Sequence, residues 1–281
     1  MNFGINTFLF VSPFTNRSLP IFKKIKSWGF DSVEIAIEDA AHVDPVKIKT
    51  ELDKLGLKCC SLCGAYGPDR DLRGTPEQQQ NSKDYIKSMV DQAVILGCPT
   101  VSGPHYSAVG RRNLHTASER KAQWKTAARN LKEVCKYAET KGITLAMEPL
   151  NRFETDFINT CEQALQMIAD VGSPALKVHL DTFHMNIEEK DSAKAILKAG
   201  KLLGHFHACG CDRGQPGNDH IDWASIAAAL KKIQYDKAVV IETFTTDVKI
   251  IAAAAAIWRP FEPSIEDIGI KGLKFLKATL K

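Results

Sequence analysis

No G-x-G-x-x-G follows any segment that reads as a strand, so the phosphate cradle of a dinucleotide-binding fold has no support in this chain. No apolar run is long enough to span a bilayer. The longest, Ile250 to Trp258, falls far short of the roughly 20 residues required. No charge of one sign dominates either. With 37 basic against 33 acidic residues, a net charge of +4 and the basic residues scattered along predicted helices, there is no electrostatic footprint for nucleic acid. The eight cysteines follow no regular framework, which excludes a disulfide-built scaffold and predicts reduced thiols in a cytoplasmic protein. The opening run MNFGINTFLFVSPF lacks the cationic leader of a secretory signal and reads as a first strand. Short internal repeats, low-complexity tracts and linkers are also missing. With 44% hydrophobic residues in a chain of 281, a large core can form, and one domain spanning 1–281 is expected.

What is present is an alternation of short apolar segments with longer segments of helical period. Phe3–Phe8, Ser32–Ile37, Lys58–Leu62, Thr100–Gly103, Ile143–Met147, Lys177–Leu180, Leu203–Phe206 and Ala238–Ile241 read as eight strands. Helical patterns fall between them at Leu19–Trp28, Val46–Leu55, Glu77–Leu96, Ser118–Thr140, Cys161–Val171, Ser192–Ala199 and Trp223–Ile233, with Ser264–Leu280 closing the chain. Several of these stop at a glycine, including Gly29, Gly56, Gly97, Gly142, Gly172 and Gly200. The Ala252–Ala256 run reads as helical filler or a packed loop. Eight βα units in under 300 residues predict an α/β protein, a (β/α)8 TIM barrel. The rival doubly wound sheet would show a glycine-rich first turn where this chain has Leu9-Phe10-Val11-Ser12-Pro13.

Loop lengths then point to one face. The strand-to-helix connections Cys63–Pro76, Pro104–Thr116, Glu148–Thr160 and His207–Asp222 are long, and in a barrel these share the face that carries chemistry. Strands five to eight run into Glu148, Asp181, His207 and Glu242. Three carboxylates at one rim would repel strongly without a cation among them. An oxygen-rich set with one imidazole suits Mn²⁺, Co²⁺ or Mg²⁺ better than a structural zinc. Taken singly, each acid also fits a helix cap or a surface charge. His179 and His205 are read as packed residues behind Asp181 and His207. The cysteines of Cys59–Cys63, with Cys209 and Cys211, lack a second C-x-x-C at metal spacing and are read as buried or loop thiols.

The strings Glu148-Pro149-Leu150-Asn151-Arg152-Phe153-Glu154 and Leu180-Asp181-Thr182-Phe183-His184-Met185-Asn186-Ile187-Glu188-Glu189, with Gly204-His205-Phe206-His207 and Ile241-Glu242-Thr243-Phe244, resemble the ketose 3-epimerases. That group includes D-tagatose, D-psicose (allulose) and L-ribulose 3-epimerases. The resemblance runs through nearly the whole chain and is most specific in its second half. It implies a metal-dependent epimerase inverting C3 of free ketoses through an enediolate. Glu148, Asp181, His207 and Glu242 would hold one divalent ion, with Mn or Co favoured and Mg also used in the family. Glu148 and Glu242 would be the opposed acid/base pair, and Glu154, His184 and Arg213 would hold the sugar. The resemblance also implies a homodimer or homotetramer.

Two departures bear on the sugar. Asn6-Thr7-Phe8-Leu9-Phe10 replaces a tyrosine- and tryptophan-rich stretch of many hexulose epimerases, so Phe8 is expected to wall the pocket without a hydrogen bond; His105 joins the expected substrate contacts. The loop through Asn218-Asp219-His220-Ile221-Asp222 is more acidic than in psicose enzymes and, with glycines at 210, 214 and 217, is expected either to fold over the sugar or to be plain solvent loop. Related barrel isomerases or dehydratases acting on hydroxypyruvate or inosose are the near rivals. An endonuclease-like metal phosphodiesterase would need an extra histidine after strand three, where Cys63-Gly64-Ala65-Tyr66 stands, and a sugar-binding protein would have little use for two carboxylates on a metal.

Overall fold

The computed structural model describes residues 1–280. Eight parallel strands pair in sequence order and close on themselves: β1 Asn2–Asn6, β2 Ser32–Ile37, β3 Lys58–Gly64, β4 Thr100–Gly103, β5 Thr144–Met147, β6 Leu176–Asp181, β7 Leu203–Ala208 and β8 Ala238–Ile241. The TIM barrel is thus formed as the alternation predicts. Its helices are α1 Ile21–Ser27, α2 Pro45–Leu55, α3 Pro76–Leu96, α4 Ala117–Lys141, α5 Cys161–Val171, α6 Thr182–Glu188, α7 Ser192–Ala199, α8 Trp223–Lys232, α9 Lys249–Ala254 and α10 Gly272–Leu280, the last entered through a π-turn at Asp267–Lys271. Among the described residues no helix is long and apolar enough to cross a membrane.

Local chemistry sets most of these boundaries. α3, α4 and α5 each begin in a reciprocal cap, Thr75 with Gln78, Thr116 with Glu119 and Thr160 with Gln163. α3 and α4 end at Gly97 and Gly142 in the left-handed conformation that glycine adopts without strain. Along β2 the side chains alternate. Val33, Ile35 and Ile37 join the large cluster shared with the helices, so Glu34 and Ala36 point the other way, into the barrel.

Several boundaries differ from the sequence expectation by a few residues, β3 and β7 running on to Gly64 and Ala208 and α10 starting only at Gly272, and three differences concern the rim or the alanine run. β1 stops at Asn6, because the Asn6 side chain accepts the Phe8 backbone N–H (2.8 Å) and starts a 3₁₀ turn, Thr7–Leu9. β6 passes without a loop into α6, capped by Asp181 Oδ1, which accepts the Phe183 N–H (2.6 Å). The alanine run is helical only as far as Ala254.

The register of β6 and β7 shifts between Val178 and His179, so that Gly204 is an extra residue and His205 and His207 fall opposite His179 and Asp181. A Cβ on Gly204 would lie 2.5 Å from Lys177 Cβ, an atom too near the backbone to swing aside. Gly204→Ala is therefore expected to destabilise the fold by about 1–3 kcal/mol, as overpacking does. Urea unfolding checks this, and an unchanged midpoint would refute it.

Candidate active site

The ends of β5, β6 and β8 and the body of β7 converge on one point inside the rim. One ligand atom from each of Glu148, Asp181, His207 and Glu242 lies within 4.8 Å of the others. His207 Nδ1 lies 3.4 Å from Glu242 Oε2, 3.7 Å from Asp181 Oδ2 and 3.9 Å from Glu148 Oε1. All four residues are buried. Glu148 Oε1, Asp181 Oδ2 and His207 Nδ1 have no hydrogen-bond partner. Buried polar atoms are normally satisfied, and two carboxylate oxygens facing an imidazole nitrogen that is free to act as a lone-pair donor are what a cation satisfies. The donors present fit a divalent ion.

The electrostatics of the protein alone reflect this crowding. Burial lifts the Glu148 carboxyl well above the usual range against the pull of His207, and the neighbouring carboxylates Glu242 and Asp181 lift it further. Burial would lower His207, but the Glu34 and Glu242 carboxylates hold it well above its ordinary value. Asp181 is driven down in spite of burial, by its contact with His207 and by the charges of His184 and Arg213.

Arg213 covers the quartet. Its backbone takes a left-handed φ of 71°, in a turn where its N–H donates to the Gly210 carbonyl (3.0 Å). The guanidinium donates to Glu154 Oε1 (3.2 Å) and Glu242 Oε2 (3.1 Å), and its carbon lies 4.5 Å from the Phe183 ring centre and 4.7 Å from that of Phe244. His184 accepts the Asn151 backbone N–H at Nδ1 (3.0 Å), and its Nε2 lies 3.2 Å from Arg213 Nη2 and 3.7 Å from Glu148 Oε1. Glu154 accepts from Asn151 Nδ2 (2.9 Å). The structure thus gathers Glu154, His184 and Arg213 above the four rim residues.

Phe8 and His105 are both buried. Phe8 meets Phe244 edge-on at 6.1 Å, in a small apolar cluster with Ala36, Cys63, Ala252 and Ile257. His105 is fully buried, with Nδ1 2.5 Å from Tyr66 Oη and Nε2 3.2 Å from the Val101 carbonyl. Burial pushes it down to about 4, so it is neutral near pH 7 and offers its ring rather than a free nitrogen. All eight cysteines are free thiols, and Cys209 Sγ donates to Asp181 Oδ1 (3.3 Å).

Attention to strand ends alone passes over Glu34, Asn6 and Asn151. Glu34 had a signal, since a carboxylate inside the apolar segment Ser32–Ile37 requires a partner as surely as one at its end. Asn6 and Asn151 had none, because asparagine is ordinary in turns.

A closed eight-stranded barrel with this rim belongs to the xylose isomerase-like TIM barrel family, whose sequence pattern matches residues 22–277. Within it, the chain is 34% identical to the D-psicose 3-epimerase of Enterocloster bolteae, over 87% of this chain and 82% of that protein. It is 31% identical to the L-ribulose 3-epimerase of Methylomonas sp., over 89% and 87%. A crystal structure of D-allulose 3-epimerase from Methylomonas sp. superposes with a TM-score of 0.93 at 28% identity, covering 100% of this chain and 98% of that one. The chain is a member of the ketose 3-epimerase family, enzymes of the isomerase class.

Proposed function

We propose that this protein inverts C3 of free ketoses of the D-tagatose, D-psicose/D-fructose or L-ribulose type, with Glu148 and Glu242 as opposed acid and base. The observation that carries this reading is the pair itself. Two glutamates arrive from β5 and β8 with one ligand oxygen of each within 4.8 Å of the other, close enough for both carboxylates to reach one sugar carbon bound beside them. Glu148, Asp181, His207 and Glu242 would hold one divalent ion, Mn²⁺ or Co²⁺ first and Mg²⁺ next, as their oxygen-rich donor set suits. Such an ion, when bound, polarises oxygens next to the reacting carbon and lowers the barrier by several kcal/mol.

The protein's own groups do the rest. One carboxylate takes the C3 proton, and the bonding electrons pass to the C2 carbonyl to leave an enediolate; the other carboxylate, protonated at the outset, returns a proton to the opposite face. Positioned acid–base groups of this kind contribute about 10²–10⁴-fold. Arg213 and His184 would hold the carbonyl and hydroxymethyl end, and Glu154 a hydroxyl. Phe8 and His105 would shape the wall. A cytoplasmic homodimer or homotetramer is part of the proposal. The free thiols support the compartment, and the exposed Phe153, Ile250 and Trp258 support self-association.

Incubating the metal-loaded protein with D-fructose, D-tagatose and L-ribulose in D₂O tests the reading. Deuterium is expected at C3 of the new epimer. Turnover that ignores metal, or exchange confined to C1, would overturn it, and loss of water from an inosose would point to the dehydratase branch.

A further inference from the structure

Glu34 is fully buried at the middle of β2, and both of its oxygens are engaged. Oε1 lies 2.6 Å from His207 Nε2 and accepts from Asn6 Nδ2 (2.7 Å). Oε2 lies 2.7 Å from His205 Nε2 and accepts from Ser102 Oγ (2.9 Å). Asn6 Nδ2 also donates to Glu242 Oε1 (3.3 Å), while Asn6 Oδ1 accepts the Phe8 N–H, which leaves the amide no freedom to flip. One carboxylate on β2 therefore joins β1, β4 and β7 and, through the Asn6 amide, reaches Glu242 just past β8.

We propose that Glu34 is a positioning residue: it fixes the tautomer and tilt of His207 and, through Asn6, the orientation of Glu242. The inference rests on the metal-centre reading above. A neutral imidazole carries one ring proton. Glu34 draws that proton to Nε2, which turns the Nδ1 lone pair toward the oxygens of Glu148, Asp181 and Glu242. Without Glu34 those three carboxylates would draw the proton to Nδ1 instead, and the site would hold a proton where it should hold an ion. A carboxylate behind a ligating histidine also raises its donor strength. The same carboxylate keeps Glu242 in place as a base through a single intervening amide.

The test compares the wild type with Glu34→Gln. Mn²⁺ titration of the metal-free proteins by calorimetry is expected to show binding about 10–100-fold weaker in the variant. Imidazole ¹⁵N–¹H correlation spectra of the metal-free samples, recorded at alkaline pH where the ring carries one proton, are expected to show His207 protonated only at Nε2 in the wild type and partly at Nδ1 in the variant. If Glu34→Gln does not fold, Asn6→Ala tests the second link, with kcat expected to fall about tenfold or more and KM to change little, because only the base loses its orientation. Mn²⁺ affinity within about twofold of wild type, with an unchanged tautomer, would mean that Glu34 is a structural core residue and would overturn the inference while leaving the metal centre standing. A wild type that binds no Mn²⁺ would overturn both.

Discussion

Glu242→Gln and Glu148→Gln are each expected to lower kcat for C3 epimerisation by about 10²–10⁴-fold, the usual contribution of a positioned acid or base. Glutamine keeps the volume and an oxygen at each position but can neither take nor give a proton. At Glu242 the partners are Arg213, Asn6 and His207, and Arg213 retains Glu154, so the fold should survive. At Glu148 the substitution removes a buried carboxyl with an unbonded oxygen from beside two others. The metal-free Glu148→Gln protein should therefore unfold at the same temperature as the wild type or a higher one. Steady-state kinetics with calorimetry checks both statements. A kcat within tenfold of wild type in either variant would remove that glutamate from the acid/base pair.

Chelation is expected to abolish turnover and to reverse the pH dependence of stability. An ion at about 100 times its dissociation constant stabilises the native state by about 2.7 kcal/mol. At ~2–4 °C per kcal/mol for a large domain, its removal should lower Tm by roughly 5–10 °C. Glu148 and His207 both have raised values in the folded protein, so their contribution is complete below the unfolded values, about 4.3 and 6.5, and is lost as pH rises through the folded ones. Glu34 and Asp181 are lowered, Glu34 in spite of its burial because His207 and His205 sit against it. Their contribution is complete above about pH 4 and is lost as pH falls through the folded values. The metal-free protein should therefore grow less stable from about pH 5 to pH 8. A bound ion requires His207 neutral and Glu148 ionised, so affinity rises with pH and the loaded protein escapes that decline. Thermal scans with and without chelator across this range would show two diverging curves. Parallel curves would count against the centre.

The barrel was legible because the signals for its repeating unit are local. Eight apolar segments, glycine stops such as Gly97 and Gly142, and lopsided loop lengths each report on a few neighbouring residues. The rim residues Glu148, Asp181, His207 and Glu242 were legible for the same reason, each being the first chemistry after an apolar run. What the sequence hid rests on side-chain contacts that hydrophobic period does not register, two of them local and one across the barrel. The end of β1 at Asn6 follows from a side chain reaching a backbone N–H that propensity does not register. α6 was hidden because Asp181 already had an explanation as a rim acid, and its second use as a helix cap leaves no separate mark. Glu34 is tied to His207, 173 positions away, and only closure of the sheet brings them together.

That double use of Asp181 sets a rule for redesign. One oxygen belongs to the backbone of the next helix and the other to the rim, so the side chain cannot be lengthened, shortened or neutralised without disturbing two structures at once. An engineer seeking a different sugar preference should leave the β6–α6 junction untouched. The apolar cluster where Phe8 meets Phe244 carries no such double duty, its contacts being to other side chains alone.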